Sequence, residues 1–228
     1  MEENGNRIRL TAGEMAQLWI QYLNDSASIC VLSYFLEKAE DDEIKAIIKF
    51  ALELSKSHIE KITVILTVEK NAVPYGFSIK EDVDLSAPRL FSDSFALNYI
   101  NQMSKVGLIS YAGSVAASVR NDIKTYYMDC LSETMQLYKN ATDLLLTKGL
   151  FIRSPSLPNL EKVEFVKKQW FMLDVFGEKR PLVAAEVENL FSNLQRNALG
   201  VALLTGFSQV VQDKEIKQFF LKGLEIGN

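Results

Sequence analysis

The chain has 228 residues, of which 48% are apolar, 10% aromatic and 24% charged, the proportions of a folded globular chain and not of a disordered or collagen-like one. Its 25 Lys and Arg against 29 Asp and Glu leave a formal net charge of −4, so phosphate backbones and anionic lipids find no general attraction and nucleic acid is not an expected partner. A single histidine excludes every site that needs two.

The first element opens at Thr11-Ala12-Gly13-Glu14, a capping box in which hydroxyl and carboxylate each satisfy a free amide of the first turn. It predicts a helix over 12–39, with Met15, Leu18, Trp19, Tyr22, Ile29 and Leu36 on one stripe. The acidic cluster Glu40-Asp41-Asp42 stops it and starts a second helix over 42–69, whose stripe includes Ile44, Ile48, Ala51, Ile62 and Leu66. So short a break makes the two antiparallel neighbours.

From Lys70 to Ser92 the periodicity lapses at Pro74, Gly76 and Pro88. The acidic run Glu81–Asp84 lies here too, and without calcium-loop spacing it reads as a solvated turn. A helix of this length spans about 42 Å, which an extended chain covers in about 13 residues, so the second and third helices can run parallel. The third is expected over 93–119, with Phe95, Tyr99, Val106, Ile109, Gly113 and Ala117 inward and a second apolar stripe of Leu97, Leu108, Tyr111 and Val115 opposite. After the tight turn Arg120-Asn121-Asp122, a fourth helix carries Ile123, Tyr126, Tyr127, Cys130, Leu137 and Leu145 and ends at Gly149. Four long helices with one crossover predict an all-α, ferritin-like four-helix bundle over 10–149.

Residues 150–181, with Pro155, Pro158, Trp170 and Pro181, read as a packed aromatic linker. A shift of 172 positions then lays 182–228 over 10–56 without a gap, with twelve identities in 47 positions, among them Asp-x-Glu-Ile-Lys at 41–45 and 213–217. The last segment is therefore expected to be a half repeat, a hairpin of two helices copying the first two. Cys30 and Cys130 lie 100 positions apart without metal-site spacing and read as small buried residues in a reducing compartment. No uncharged run reaches membrane-helix length and the start is polar, so no membrane insertion and a cytoplasmic location are expected.

The capped start Leu10–Glu14, the Asp-x-Glu-Ile-Lys junction, Pro74-Tyr75-Gly76 and the restart Gly177-Glu-Lys-Arg-Pro-Leu182 together resemble one family. It comprises tandem ferritin-like bundles of unknown function from spore-forming bacilli, more distantly similar to spore coat protein F. The resemblance implies the fold and origin in a spore-forming bacterium; it brings no reaction and no catalytic residue. The second repeat is truncated in this sequence.

No catalytic residue, metal or cofactor is assigned from the residues. A di-iron centre would require Glu-x-x-His pairs, whereas His58 is preceded at that spacing by Ser55 and the third helix has no acidic residue between Ser94 and Val119. His58 falls between Ala51 and Ile62 on an inward stripe. It reads as a neutral imidazole bonded to a neighbouring hydroxyl or carboxylate, the alternative being a small-ligand or metal contact with Asp25 and Glu133. The small residues Ser110, Gly113, Ser114 and Ala117 allow close helix packing or leave a pocket, with Trp19, Tyr22, Gly113, Tyr126 and Tyr127 as its walls.

The reading that follows is a non-catalytic structural or interaction protein, a homodimer held through Leu190, Phe191, Leu194, Val201, Phe207, Ile216, Phe219 and Phe220 of the hairpin. A competing arrangement folds the hairpin back on the third helix. Two alternatives stand beside the interaction reading: a small-molecule binding bundle with a cavity between the first, third and fourth helices, and a metal-dependent oxidase.

Overall fold

A computed structural model describes residues 8–159 and 182–228. Among them all regular structure is helical: α1 (Ala12–Lys38), α2 (Asp42–Val68), the single turn α3 (Ile79–Asp82), α4 (Asp93–Ala117), α5 (Asn121–Thr147), α6 (Ala184–Val210) and α7 (Lys214–Gly227). The chain divides into two compact units, Met1–Phe151 and Ile152–Asn228. Most of the expected linker, including its aromatic stretch, lies outside the described residues.

The helices of the first unit begin where short polar side chains replace missing amide partners. Thr11 and Glu14 close the capping box of α1, Asp41 accepts from the amides of Glu43 and Ile44 at α2, and Ser92 accepts from Phe95 at α4. Two core clusters then establish the direction of each helix. One joins Leu32 and Phe35 near the end of α1 to Ile44 and Ile48 at the start of α2, Leu97 and Ile100 at the start of α4, and Leu145 at the end of α5. The other joins Leu18 at the start of α1 to Ile62 and Leu66 at the end of α2 and to Ile123 and Tyr127 at the start of α5. Consequently α2 and α4 run parallel, as do α1 and α5, while α1–α2 and α4–α5 are antiparallel pairs.

The connection between α2 and α4 therefore travels the length of the unit. Gly76 makes its tightest approach to α1: its φ is +65°, and a Cβ there would lie 2.8 Å from Ser26 Oγ and 2.9 Å from Tyr22 Cε1. Gly76→Ala combines a left-handed backbone with a clash and is expected to cost about 2 kcal/mol; urea unfolding of the two proteins measures it.

Helix α4 turns a different face inward from the one its spacing suggests. Ala96, Leu97, Ile100, Asn101, Ser104 and Ser114 are buried, whereas Ile109 is 69% exposed and Gly113 faces open space. With apolar side chains on two stripes, periodicity alone leaves the orientation undecided. Packing places Tyr111 and Val115 against the second cluster.

In the second unit, α6 and α7 pair as a hairpin. Gly223 lies against Leu204 and Gly227 against Val201, where an added Cβ would approach each leucine or valine side chain to 2.7 Å. Positions related by the shift of 172 take matching local structure. Asp213 caps α7 as Asp41 caps α2, and the amide of Val211 bonds to the Phe207 carbonyl as that of Ala39 bonds to Phe35. Val183, standing where α1 has Thr11, has no side-chain oxygen, so only the Glu186 half of the capping box forms, from the Val183 amide at 3.0 Å.

Candidate functional site

Within α2, Ala51, Ser55, His58 and Ile62 recur at helical spacing and are all buried, which carries the imidazole of His58 into the centre of the first unit at 3% exposure. Nε2 donates to Glu133 Oε2 of α5 at 3.0 Å. Nδ1 lies 3.2 Å from Asp25 Oδ2 of α1, close enough for an ion pair but without hydrogen-bond alignment. Tyr111 of α4 and Tyr126 of α5 present their rings edge-on, at 5.9 and 6.4 Å. At the surface, Lys61 sits 3.5 Å from the other oxygen of Glu133.

Burial by itself would strip the proton from such a ring. The close negative charge of Asp25, assisted by Cys130, outweighs burial and pushes the His58 pKa up to about 10. This raised value favours the imidazolium at neutral pH over the neutral imidazole expected from the sequence, because the Asp25 carboxylate faces Nδ1 at 3.2 Å. Burial also raises the phenols of Tyr111, Tyr126 and Tyr127, so they remain neutral donors.

Beside this cluster is a cavity of about 380 Å3. Its walls come from α1 (Ile20, Gln21, Asp25) and α4 (Ser104, Gly107, Ser110, Tyr111), and its floor from α2 and α5 (His58, Tyr127, Leu137). The gap exists because serine and glycine occupy successive turns of α4 where larger residues would close it. Gly107 owes its size to its other neighbour: a Cβ there would come within 3.2 Å of Thr134 Cγ2.

Asp25, His58 and Glu133 therefore meet in space. Of the five residues expected as pocket walls, Tyr127 lines the cavity. Trp19 does not, and is 38% exposed; Tyr22 packs beside Leu18 and Ile62; Gly113 points away; and Tyr126 borders a separate surface depression with Lys61 and Asp122. The departures on α1 and α4 share a cause, since both helices are rotated relative to their most apolar stripes. The same rotation buries Gln21, which bonds to Tyr111 Oη at 3.3 Å and Cys130 Sγ at 3.7 Å. Gln21, Ser104 and Gly107 carry no sequence signal that marks them as lining; Tyr111 was visible only as part of a second stripe.

Among the described residues one group could hold a metal ion: His58, Cys130 and Glu133, whose ligand atoms lie within 4.8 Å of one another. Asp25 stands on the opposite nitrogen, outside that group. A di-iron centre, the group a ferritin-like bundle implies, draws carboxylates and two imidazoles from four helices. One imidazole, one thiol and one carboxylate do not fit it. No helix among the described residues is long and apolar enough to cross a membrane.

Two solved structures share the arrangement of helices. A protein of Bacillus halodurans C-125 provisionally assigned as a spore coat protein (BH2358) superposes with a TM-score of 0.59 at 18% identity, over 67% of this chain and 98% of its own. A conserved hypothetical protein of Mycobacterium tuberculosis, rv2844, gives 0.51 at 14% identity, over 64% of this chain and 98% of its own. At these identities the likeness is one of fold. No curated protein matches the chain. A family model does, over residues 1–163 and 170–228, and the chain accordingly belongs to the family described as "Protein of unknown function (DUF3231)".

Proposed function

We propose that this chain is a non-catalytic structural or interaction protein of a spore-forming bacterium, acting in the cytoplasm or on the spore, which pairs with a second copy of itself through α6 and α7. The single observation behind this reading is the apolar surface of the hairpin. Within α6 and α7 only Gly206 and Ser208 are buried, while Leu190, Leu194, Phe207, Ile216 and Phe219 are exposed, Leu194 at 64% and Phe219 at 74%. Burying each such side chain is worth about 1.5–3 kcal/mol, so leaving the set in water is costly. Phe191, Val201 and Phe220 are half-buried and continue the same surface. In the first unit the hairpin α1–α2 is covered by the hairpin α4–α5. Two copies of α6–α7 related by a two-fold axis would cover each other in the same manner. The ferritin-like character of the first unit and the origin of the hairpin as a half repeat belong to the same reading.

Light scattering at micromolar concentration should give twice the chain mass for the native protein. The doubly substituted variant Leu194→Asp/Phe219→Asp should give the chain mass with its helical circular dichroism retained. A native protein that is monomeric over this range ends the self-pairing proposal.

A second reading, a small-molecule binding bundle, is favoured by the cavity beside His58. The metal-dependent oxidase has less support, since the donor set available is not one that holds two metals.

A further inference from the structure

Five side-chain atoms of the described residues are buried without an aligned hydrogen-bond partner: Gln21 Oε1, Asp25 Oδ2, His58 Nδ1, Tyr126 Oη and Tyr127 Oη. Four of them belong to residues that line the one 380 Å3 cavity, all more than nine-tenths buried. His58 Nδ1 and Asp25 Oδ2 face each other at 3.2 Å as an ion pair, so Gln21 Oε1, Tyr127 Oη and the remaining lone pair of Asp25 Oδ2 are what a guest could still satisfy. Such atoms are costly to leave unsatisfied, and their convergence on one space marks a place for a bonded guest. The volume falls in the range of small-molecule sites.

The chemistry of the lining narrows the guest. Gln21 Oε1 and Asp25 Oδ2 can only accept, so they call for a donor. The lining contains no Lys or Arg. Its one cation, His58, already directs Nε2 at Glu133 and Nδ1 at Asp25, which leaves no imidazole N–H for an anion. Tyr111 and Tyr127 add aromatic surface next to Asp25, suited to a positively charged head. Away from this polar end the lining alternates small polar residues of α4 with Val31, Leu32, Ile100 and Leu137, and at the edge Ile20, Met103 and Val106 are exposed, so an apolar tail can enter along these side chains.

Resting on the small-molecule reading, we propose that the cavity between α1 and α4 binds a small amphipathic amine, its ammonium group donating to Asp25 Oδ2 and Gln21 Oε1 and its apolar body lying along α4.

Isothermal titration of the full chain with n-octylamine, n-octanol and n-octanoate at neutral pH tests this. The amine should bind saturably, at least about tenfold more tightly than the alcohol, as befits a charge-assisted bond, and octanoate should not bind. Asp25→Asn should remove the preference for the amine. Because that change also touches His58, Ser104→Leu serves as the second variant: Ser104 lines the cavity and is 3% exposed, so the larger side chain takes up cavity volume and should abolish amine binding while circular dichroism and hairpin-mediated mass remain native. Equal binding of all three probes overturns the amine assignment and leaves the cavity a general apolar site. Amine binding that survives Ser104→Leu places the ligand elsewhere and overturns the site. No binding by any probe defeats both the amine assignment and the small-molecule reading, with water as the natural occupant.

Discussion

Unfolding free energy of the native protein should fall on the order of 4 kcal/mol more than that of His58→Gln as pH rises from about 6 to about 10.5. The sign follows from the raised pKa. A histidine titrates near 6.5 in an unfolded chain but near 10 in this site. Between those values the folded state binds a proton that the unfolded state has released, so raising the pH favours unfolding. The contribution is complete below 6.5 and gone once the folded pKa is passed. The groups facing the ring are Asp25 from α1, Tyr111 from α4, and Tyr126, Cys130 and Glu133 from α5, with Lys61 behind Glu133. Taking the difference between the two proteins across urea titrations removes thiol, phenol and lysine ionisations common to both. Parallel pH profiles would show that the ring carries no charge.

Replacing Glu14 by Gln is expected to destabilise the first unit by about 3 kcal/mol, although the two side chains have nearly the same shape. Glu14 is buried and uses both oxygens. Oε1 accepts from the amides of Val119 and Arg120 at 2.9 and 2.8 Å, and Oε2 from the amide and hydroxyl of Thr11 at 2.8 and 2.9 Å. Burial works against its charge, but these bonds prevail and hold its carboxyl below the ordinary value of 4.5. A glutamine must turn an NH2 toward one of the two donor pairs, leaving buried amides facing a donor. The stabilisation is present above pH 4.5 and lost as pH falls through the depressed folded value. Glu186→Gln provides the internal comparison. Glu186 holds the corresponding position 172 residues later and accepts from the Val183 amide in an exposed bond, so its replacement should cost under about 1 kcal/mol. Equal losses for the two variants would show that Glu14 acts only as a cap.

That contrast illustrates how far the amino-acid sequence can be read. Helix starts at Ala12, Asp42 and Asp93 were legible because a cap and the turn it serves lie within four residues of each other. The inward direction of His58 was legible for the same kind of reason, since Ala51 and Ile62 on its own helix define the buried stripe. The length of chain between α2 and α4 allowed their parallel course, and packing of the two core clusters settled it.

The face that α4 turns inward was not legible in this way. Two apolar stripes gave it two plausible orientations, and the choice depended on Leu97, Tyr111 and Ser114 fitting three other helices at once. The same holds for α1, where Gln21 and Asp25 are buried and Trp19 is half outside. The carboxylates Asp25 and Glu133 could be placed at the edges of their stripes, yet the raised pKa of His58 depended on Asp25 reaching it.

By itself, then, the order of residues determined the four long helices of the first unit to within a few residues and their antiparallel pairing across short turns, though not the single turn α3, and these features rest on contacts between near neighbours in the chain. Only the tertiary structure decided the α4 face, the cavity and the charged state of His58. The Glu133 bond to His58 spans 75 positions and the Glu14 bonds to Val119 and Arg120 span 105 and 106, distances over which periodicity carries no phase and only the packing of whole helices brings the groups together.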